Sequence, residues 1–217
     1  MVKKPVMVLD LDSVVVDFDD AIERHMHAMG YTGYRNNRVL TYDFNKYLKN
    51  PPEWLKSTTS CGNYYLNANI EDIRSLFTDV SFFESCKIYD GLEEKIKLAS
   101  ALYDIHFHRC ACSKAVADQK FDFVETAFSD MLHCVSITLG LYKPAFFGAD
   151  VVVEDSPFAL RQYRNTDTQR ILTDKPYNQL EYNEAYMGDY IGVTRVESLS
   201  NYLDRLIGVN VEYAKSV

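Results

Sequence analysis

Residues 6–18 read VMVLDLDSVVVDF, and this stretch decides the fold. An apolar run enters two carboxylates, Asp10 and Asp12, one residue apart. Charged side chains are rarely buried without partners, because desolvating a carboxylate is costly. A short apolar run that ends in functional polar residues predicts a strand buried on both faces of a parallel sheet. A second run of the same form, ADVVVEDS, covers residues 149–156. In open α/β sheets the ligand sits beyond the carboxyl ends of the strands. If the two runs are neighbours, Asp10, Asp12, Glu154 and Asp155 converge at one edge, while Asp150 sits nearer the other end. Clustered carboxylates repel one another and call for a cation. Hard oxygen ligands favour Mg²⁺, and Mg²⁺ suits a phosphate substrate. One acidic strand end more often merely closes a strand or caps a helix. Two such ends, one Asp-x-Asp and one Glu-Asp, favour a site.

The chain has 217 residues, enough for one α/β domain or one core with an insertion. A net charge of −8 argues against broad binding to a nucleic-acid polymer or an anionic membrane. It leaves a small anionic ligand open, because a metal ion or a lysine can reverse the potential in one cleft. No apolar run approaches the ~20 residues of a membrane helix. The start, MVKKPVMVLDLD, is basic and then apolar, but Asp10 and Asp12 break it too early for a signal peptide. A cytoplasmic chain is expected. Cys61, Cys86, Cys110, Cys112 and Cys134 form an odd, scattered set, which reads as reduced thiols rather than a disulfide framework.

From residue 90 onward, helical and strand patterns alternate, which predicts βαβ units. Helices are expected in DGLEEKIKLASALYD, with Leu92, Ile96, Leu98 and Leu102 as the stripe, and in KAVADQKFDFVETAFSDM. Strands are expected in IHFHRCACS, HCVSITLG, ADVVVEDS and QRILTD. VTRVESLSNYLDRLI closes with a short strand and a helix. Residues 19–88 interrupt the alternation. They open with a helix whose spacing runs through Ala21, Ile22, His25 and Met29, and they are otherwise rich in aromatics. The expected organisation is an α/β core, 1–18 and 89–217, with a small helical cap, 19–88, inserted after the first strand. His106, His108, Cys110 and Cys112 alternate along one strand face. Four ligands on a straight strand span too far to surround one zinc ion, so a packed face is expected there.

Four segments together resemble the haloacid dehalogenase-like superfamily of phosphohydrolases. These are Asp10-x-Asp12-x-Val14 after a hydrophobic strand, Ser113 after the next core strand, Lys143 in LYKPAFF, and the acidic end ADVVVEDSP. Within it, the chain is most similar to the 5'(3')-deoxyribonucleotidases. Asp17-Phe18, ADVVVED and FFESCKIYDGLEE carry that similarity, as does the helical segment at 19–88. Three positions depart from the pattern: Ser13 where glycine is usual, Cys112-Ser113-Lys114 where Thr-Ser-Pro is usual, and Glu154 for the first acid of an Asp-Asp pair.

The resemblance implies a Rossmann-like parallel sheet flanked by helices and a Mg²⁺-dependent phosphomonoesterase acting on deoxyribonucleoside monophosphates. Asp10 is the implied nucleophile. Asp12 is the implied acid and base, which must hold a proton part of the time. Asp10, Asp155 and the carbonyl of Asp12 are the implied metal ligands, with Glu154 and Asp150 as weaker outer acids. Lys143 would neutralise charge on the phosphoryl group. Ser113 would hydrogen-bond a phosphate oxygen, beside Lys114, although Cys112 competes for the position. Phe18 is a candidate platform for the base. Trp54, Tyr64 and Tyr65 are further candidates, each read first as cap core. Alternatives are another small phosphate ester such as a sugar phosphate, or a non-catalytic binding module of the same fold. A homodimer is left open.

Overall fold

In the computed structural model, the residues described are 3–31, 75–140, 144–179, 188 and 190–216, the last eight as backbone alone. The cap expectation, with Trp54, Tyr64 and Tyr65, therefore lies largely outside the described residues, and Lys143 lies wholly outside them.

Six parallel strands form one sheet in the order β3-β2-β1-β4-β5-β6. They are β1 Val6–Leu9, β2 Asp104–Ala111, β3 His133–Leu139, β4 Val151–Glu154, β5 Gln169–Thr173 and β6 Thr194–Val196. β1 lies in the middle, as its continuous apolar sequence requires, since a strand covered on both faces cannot alternate with polar residues. Met7 and Leu9 enter one hydrophobic cluster, and Val8 enters the other across the sheet. The first cluster is packed by helices Leu92–Ala99, Lys114–Ala127 and Leu199–Ser216. The second is closed by Pro157–Arg161, through Leu160, and by Tyr163. Further helices are Phe18–Ala28 and Val80–Glu84, with a 3₁₀ turn at Pro176–Asn178.

The chain builds β2 and β3 on one side of β1, then returns to build β4, β5 and β6 on the other. The crevice where the order reverses lies between β1 and β4, the place where such sheets bind ligands. Their register, Leu9 opposite Val153, brings the two acidic strand ends side by side. Asp10 N extends the pairing by donating to Val153 O at 3.0 Å.

After Asp10 the backbone turns sharply. Val15 N and Val16 N both donate to Leu11 O, at 2.9 and 2.8 Å, and Ser13 N donates to Val16 O at 2.9 Å. Ser13 has φ 59°, a left-handed backbone that glycine adopts without strain. The turn is held by the chain returning at residues 87–89: Asp17 N donates to Lys87 O, and Tyr89 N donates to Val15 O.

Several expectations need correction. β1 is shorter than the apolar run, because the turn begins at Leu11. The stripe of the first helix is Phe18, Ala21, Ile22 and Met26, so His25 and Met29 lie off it. The stripe of Leu92–Ala99 uses Ala99, and Leu98 is exposed. Asp150 lies at the amino end of β4, where its Oδ2 accepts from Val6 N at 2.7 Å. Strand direction alone removes it from the acidic edge. The packed face expected on β2 is found at His106 and His108, with the His106 ring 4.1 Å from that of Phe146, whereas Cys112 lies past the strand end and is exposed.

Candidate active site

Asp10, Glu154 and Asp155 each offer a carboxylate oxygen, and these atoms all lie within 4.8 Å of one another. Asp10 and Glu154 are buried and Asp155 is half-buried. Three acids gathered in a largely buried crevice suit a hard cation held by oxygen, and their donor chemistry fits Mg²⁺. Glu154, expected only as an outer acid, stands among the ligand candidates. β4 explains this: its last residue points its carboxylate toward the end of β1, and the next residue, Asp155, has already left the strand.

Asp12 lies elsewhere. Its carboxylate is paired with Arg109 Nη2 and, at 3.2 Å, with Lys120 Nζ. Both cations are buried. Lys120 Nζ also donates to Cys110 O at 3.2 Å and sits 4.1 Å from the centre of the Phe83 ring. Burial alone would raise the Asp12 carboxyl, but the charges and hydrogen bonds of Arg109 and Lys120 outweigh it and hold it below the ordinary aspartate range. Burial, followed by repulsion from Arg109, pushes the Lys120 ammonium down to about 8. Asp12 is therefore an ionised partner of two cations, where partial protonation was expected.

Neither cation was singled out in the sequence, yet both left a signal. Lys120 stands in the buried helix stripe Val116–Lys120–Val124. Arg109 takes the core-facing register of β2 shared by Ile105, Phe107 and Ala111. A charge in a core position needs a buried partner, and Asp12 is that partner.

Ser113 caps the helix Lys114–Ala127, its Oγ accepting from Val116 N at 3.3 Å. Cys112 and Lys114 are exposed, and Lys114 Nζ pairs with Asp118 at 2.5 Å. Phe18 is 5% exposed, with ring centres of Phe77, Phe82 and Phe83 at 5.7, 4.9 and 5.7 Å. Its ring is part of the apolar core. A cavity of about 420 Å³ adjoins the turn, with Ser13, Asp17, Tyr89, Thr173 and Lys175 among its walls. None of the three clustered acids lines it.

No family model matches the chain, and no curated protein matches it. Solved structures do match. YfnB from Bacillus subtilis, assigned to the HAD hydrolases and bound to magnesium, is 12% identical with a TM-score of 0.54 over 94% of this chain and 99% of its own. A predicted phosphatase from Clostridium acetobutylicum is 12% identical with a TM-score of 0.52 over 95% and 99%. A protein of Burkholderia xenovorans LB400, assigned to the haloacid dehalogenase-like hydrolases, is 14% identical with a TM-score of 0.50 over 98% and 99%. At such identities the likeness is one of fold: this chain has the fold of haloacid dehalogenase-like hydrolases. Among the described residues, no helix is long and apolar enough to cross a membrane.

Proposed function

We propose that the chain is a Mg²⁺-dependent phosphomonoesterase that removes phosphate from deoxyribonucleoside monophosphates. One observation carries the reading: Asp10, at the end of the central strand, shares a crevice with Glu154 and Asp155 where the strand order reverses. The shared fold supports it, as do the phosphatase and the magnesium-bound hydrolase among the similar structures.

Asp10, Glu154 and Asp155 would hold the ion. Bound there, Mg²⁺ would offset the negative charge that Asp10 and a phosphoryl group bring together. Asp10 attacks phosphorus through a carboxylate oxygen, and the bond from phosphorus to the sugar oxygen breaks. Asp12, once it has taken up a proton from solvent on substrate binding, gives that proton to the departing oxygen. An arriving phosphate dianion raises the proton affinity of Asp12 against its two cations. A water then gives its proton back to Asp12 and attacks the aspartyl phosphate, releasing inorganic phosphate and free Asp10. Ser113 and Lys143 are proposed to contact phosphoryl oxygens. The 19–88 segment is proposed as the cap that meets the nucleoside, since the Phe18 ring is committed to the core.

The test is phosphate release from a panel of 5'- and 3'-nucleotides and sugar phosphates, with Mg²⁺ or chelator, beside Asp10→Asn. Deoxyribonucleotide hydrolysis lost in chelator and in Asp10→Asn is expected. Activity that survives both overturns the mechanism. Activity confined to sugar phosphates overturns the substrate.

A further inference from the structure

We infer that Tyr177 is a positioning residue that fixes the Asp155 carboxylate for the metal ion, an inference resting on the metal reading above. The Tyr177 hydroxyl donates to Asp155 Oδ2 at 2.7 Å, and its side chain is buried. A carboxylate that must ligate a small cation gains from a fixed rotamer, and the groups that fix ligands contribute strongly to affinity.

The residue that places Tyr177 is itself clamped. Asn178 is fully buried. Its Nδ2 donates to Asp155 O at 2.8 Å and to Thr173 O at 2.7 Å, while its Oδ1 accepts from Lys175 N at 3.0 Å. Arg195 Nη2 donates to the same Oδ1 at 3.0 Å. One amide thus ties the 3₁₀ turn to the ends of β4 and β5. With the backbone held on both sides, the Tyr177 hydroxyl meets Asp155 at a set position. Removing the hydroxyl keeps the Asn178 clamp and the ring, and takes one hydrogen bond from the Asp155 carboxylate.

Metal affinity is the readout, measured by calorimetric titration of the full chain with Mg²⁺ alone. Tyr177→Phe is expected to weaken binding by about 10-fold or more, with its thermal melt in chelator close to that of the wild type. Tyr163→Phe is the control for loss of a buried tyrosine hydroxyl, since that group accepts from Phe146 N on the other hydrophobic cluster. It is expected to bind Mg²⁺ as the wild type does. Equal affinity in Tyr177→Phe and wild type overturns the positioning role and leaves the metal site standing. A wild-type chain that binds no Mg²⁺ overturns the metal reading, and this inference with it. Equal weakening in both tyrosine variants also overturns it, because the effect is then general loosening.

Discussion

Lys120 Nζ lies 3.2 Å from Asp12 Oδ2, the same oxygen that takes Arg109. One carboxylate therefore holds two like charges in the core. In the resting protein the ionised acid offsets their mutual repulsion, because without it the two cations face each other in low dielectric.

That asymmetry makes a prediction. Asp12→Asn removes the charge that both buried cations contact directly, and is expected to cost about 3–5 kcal/mol. Lys120→Met removes one repelling charge and keeps an unbranched side chain against Phe83, and is expected to cost less than about 1.5 kcal/mol. Urea unfolding of the two variants decides the matter. A Lys120→Met cost as large as that of Asp12→Asn would show that the lysine contributes to the cluster as much as the acid does.

Glu154 is expected to be a ligand in its own right. Mg²⁺ at about 100 times its Kd should then stabilise the wild type by about 2.7 kcal/mol, seen as a rise in melting temperature over the chelated protein. Glu154→Gln keeps the side-chain volume and removes the charge. It should lose most of that rise. A full Mg²⁺-dependent shift in Glu154→Gln would return this acid to an outer role.

Ser13 sits at φ 59° with its side chain buried. Glycine relieves the backbone strain but adds freedom to the unfolded chain, so Ser13→Gly should change stability by no more than about 1 kcal/mol. Ser13→Val puts a β-branched side chain in the left-handed region and should cost clearly more. Thermal melts of the pair would reverse this order only if the turn relaxes to another backbone.

Burial, with the Asp12 charge adding to it, pushes the Cys86 thiol up to about 12. The thiolate is the reactive form. At pH 8, Cys86 should resist alkylation while the exposed Cys112 and Cys134 are labelled, as read by peptide mass mapping. The sign follows from the raised value. Native Cys86 favours its proton, so it contributes stability below an ordinary thiol range, about 8.5, and loses it as pH climbs toward 12. Cys86→Ala should therefore flatten the alkaline fall in stability. Fast labelling of Cys86 at pH 8 in the folded protein would contradict this environment.

The site was legible to different depths. Asp10 and Asp155 could be read from apolar runs ending in acid, since a core strand tolerates charge only where it leaves the core. The Lys120 and Arg109 signals were also present, as charges in positions of core periodicity, but neither pattern names its partner. Tyr177 and Asn178 left no comparable trace. A tyrosine and an asparagine after a proline look like any surface turn. Phe18 was misleading for a related reason: an aromatic beside a catalytic strand suits a base and a core equally well by composition.

The sequence by itself determined the alternation that makes a parallel sheet and the acid at the ends of two of its strands, because strand burial and chain direction are written in short, local patterns. That these ends meet rests on the pairing of β1 with β4. The tertiary structure alone decided how the carboxylates divide. Glu154 joins Asp10 and Asp155, while Asp12 turns to Arg109 and Lys120. That division depends on cations about a hundred residues away in the chain. A charge settles where the buried counter-charge is, and only the folded packing places that partner.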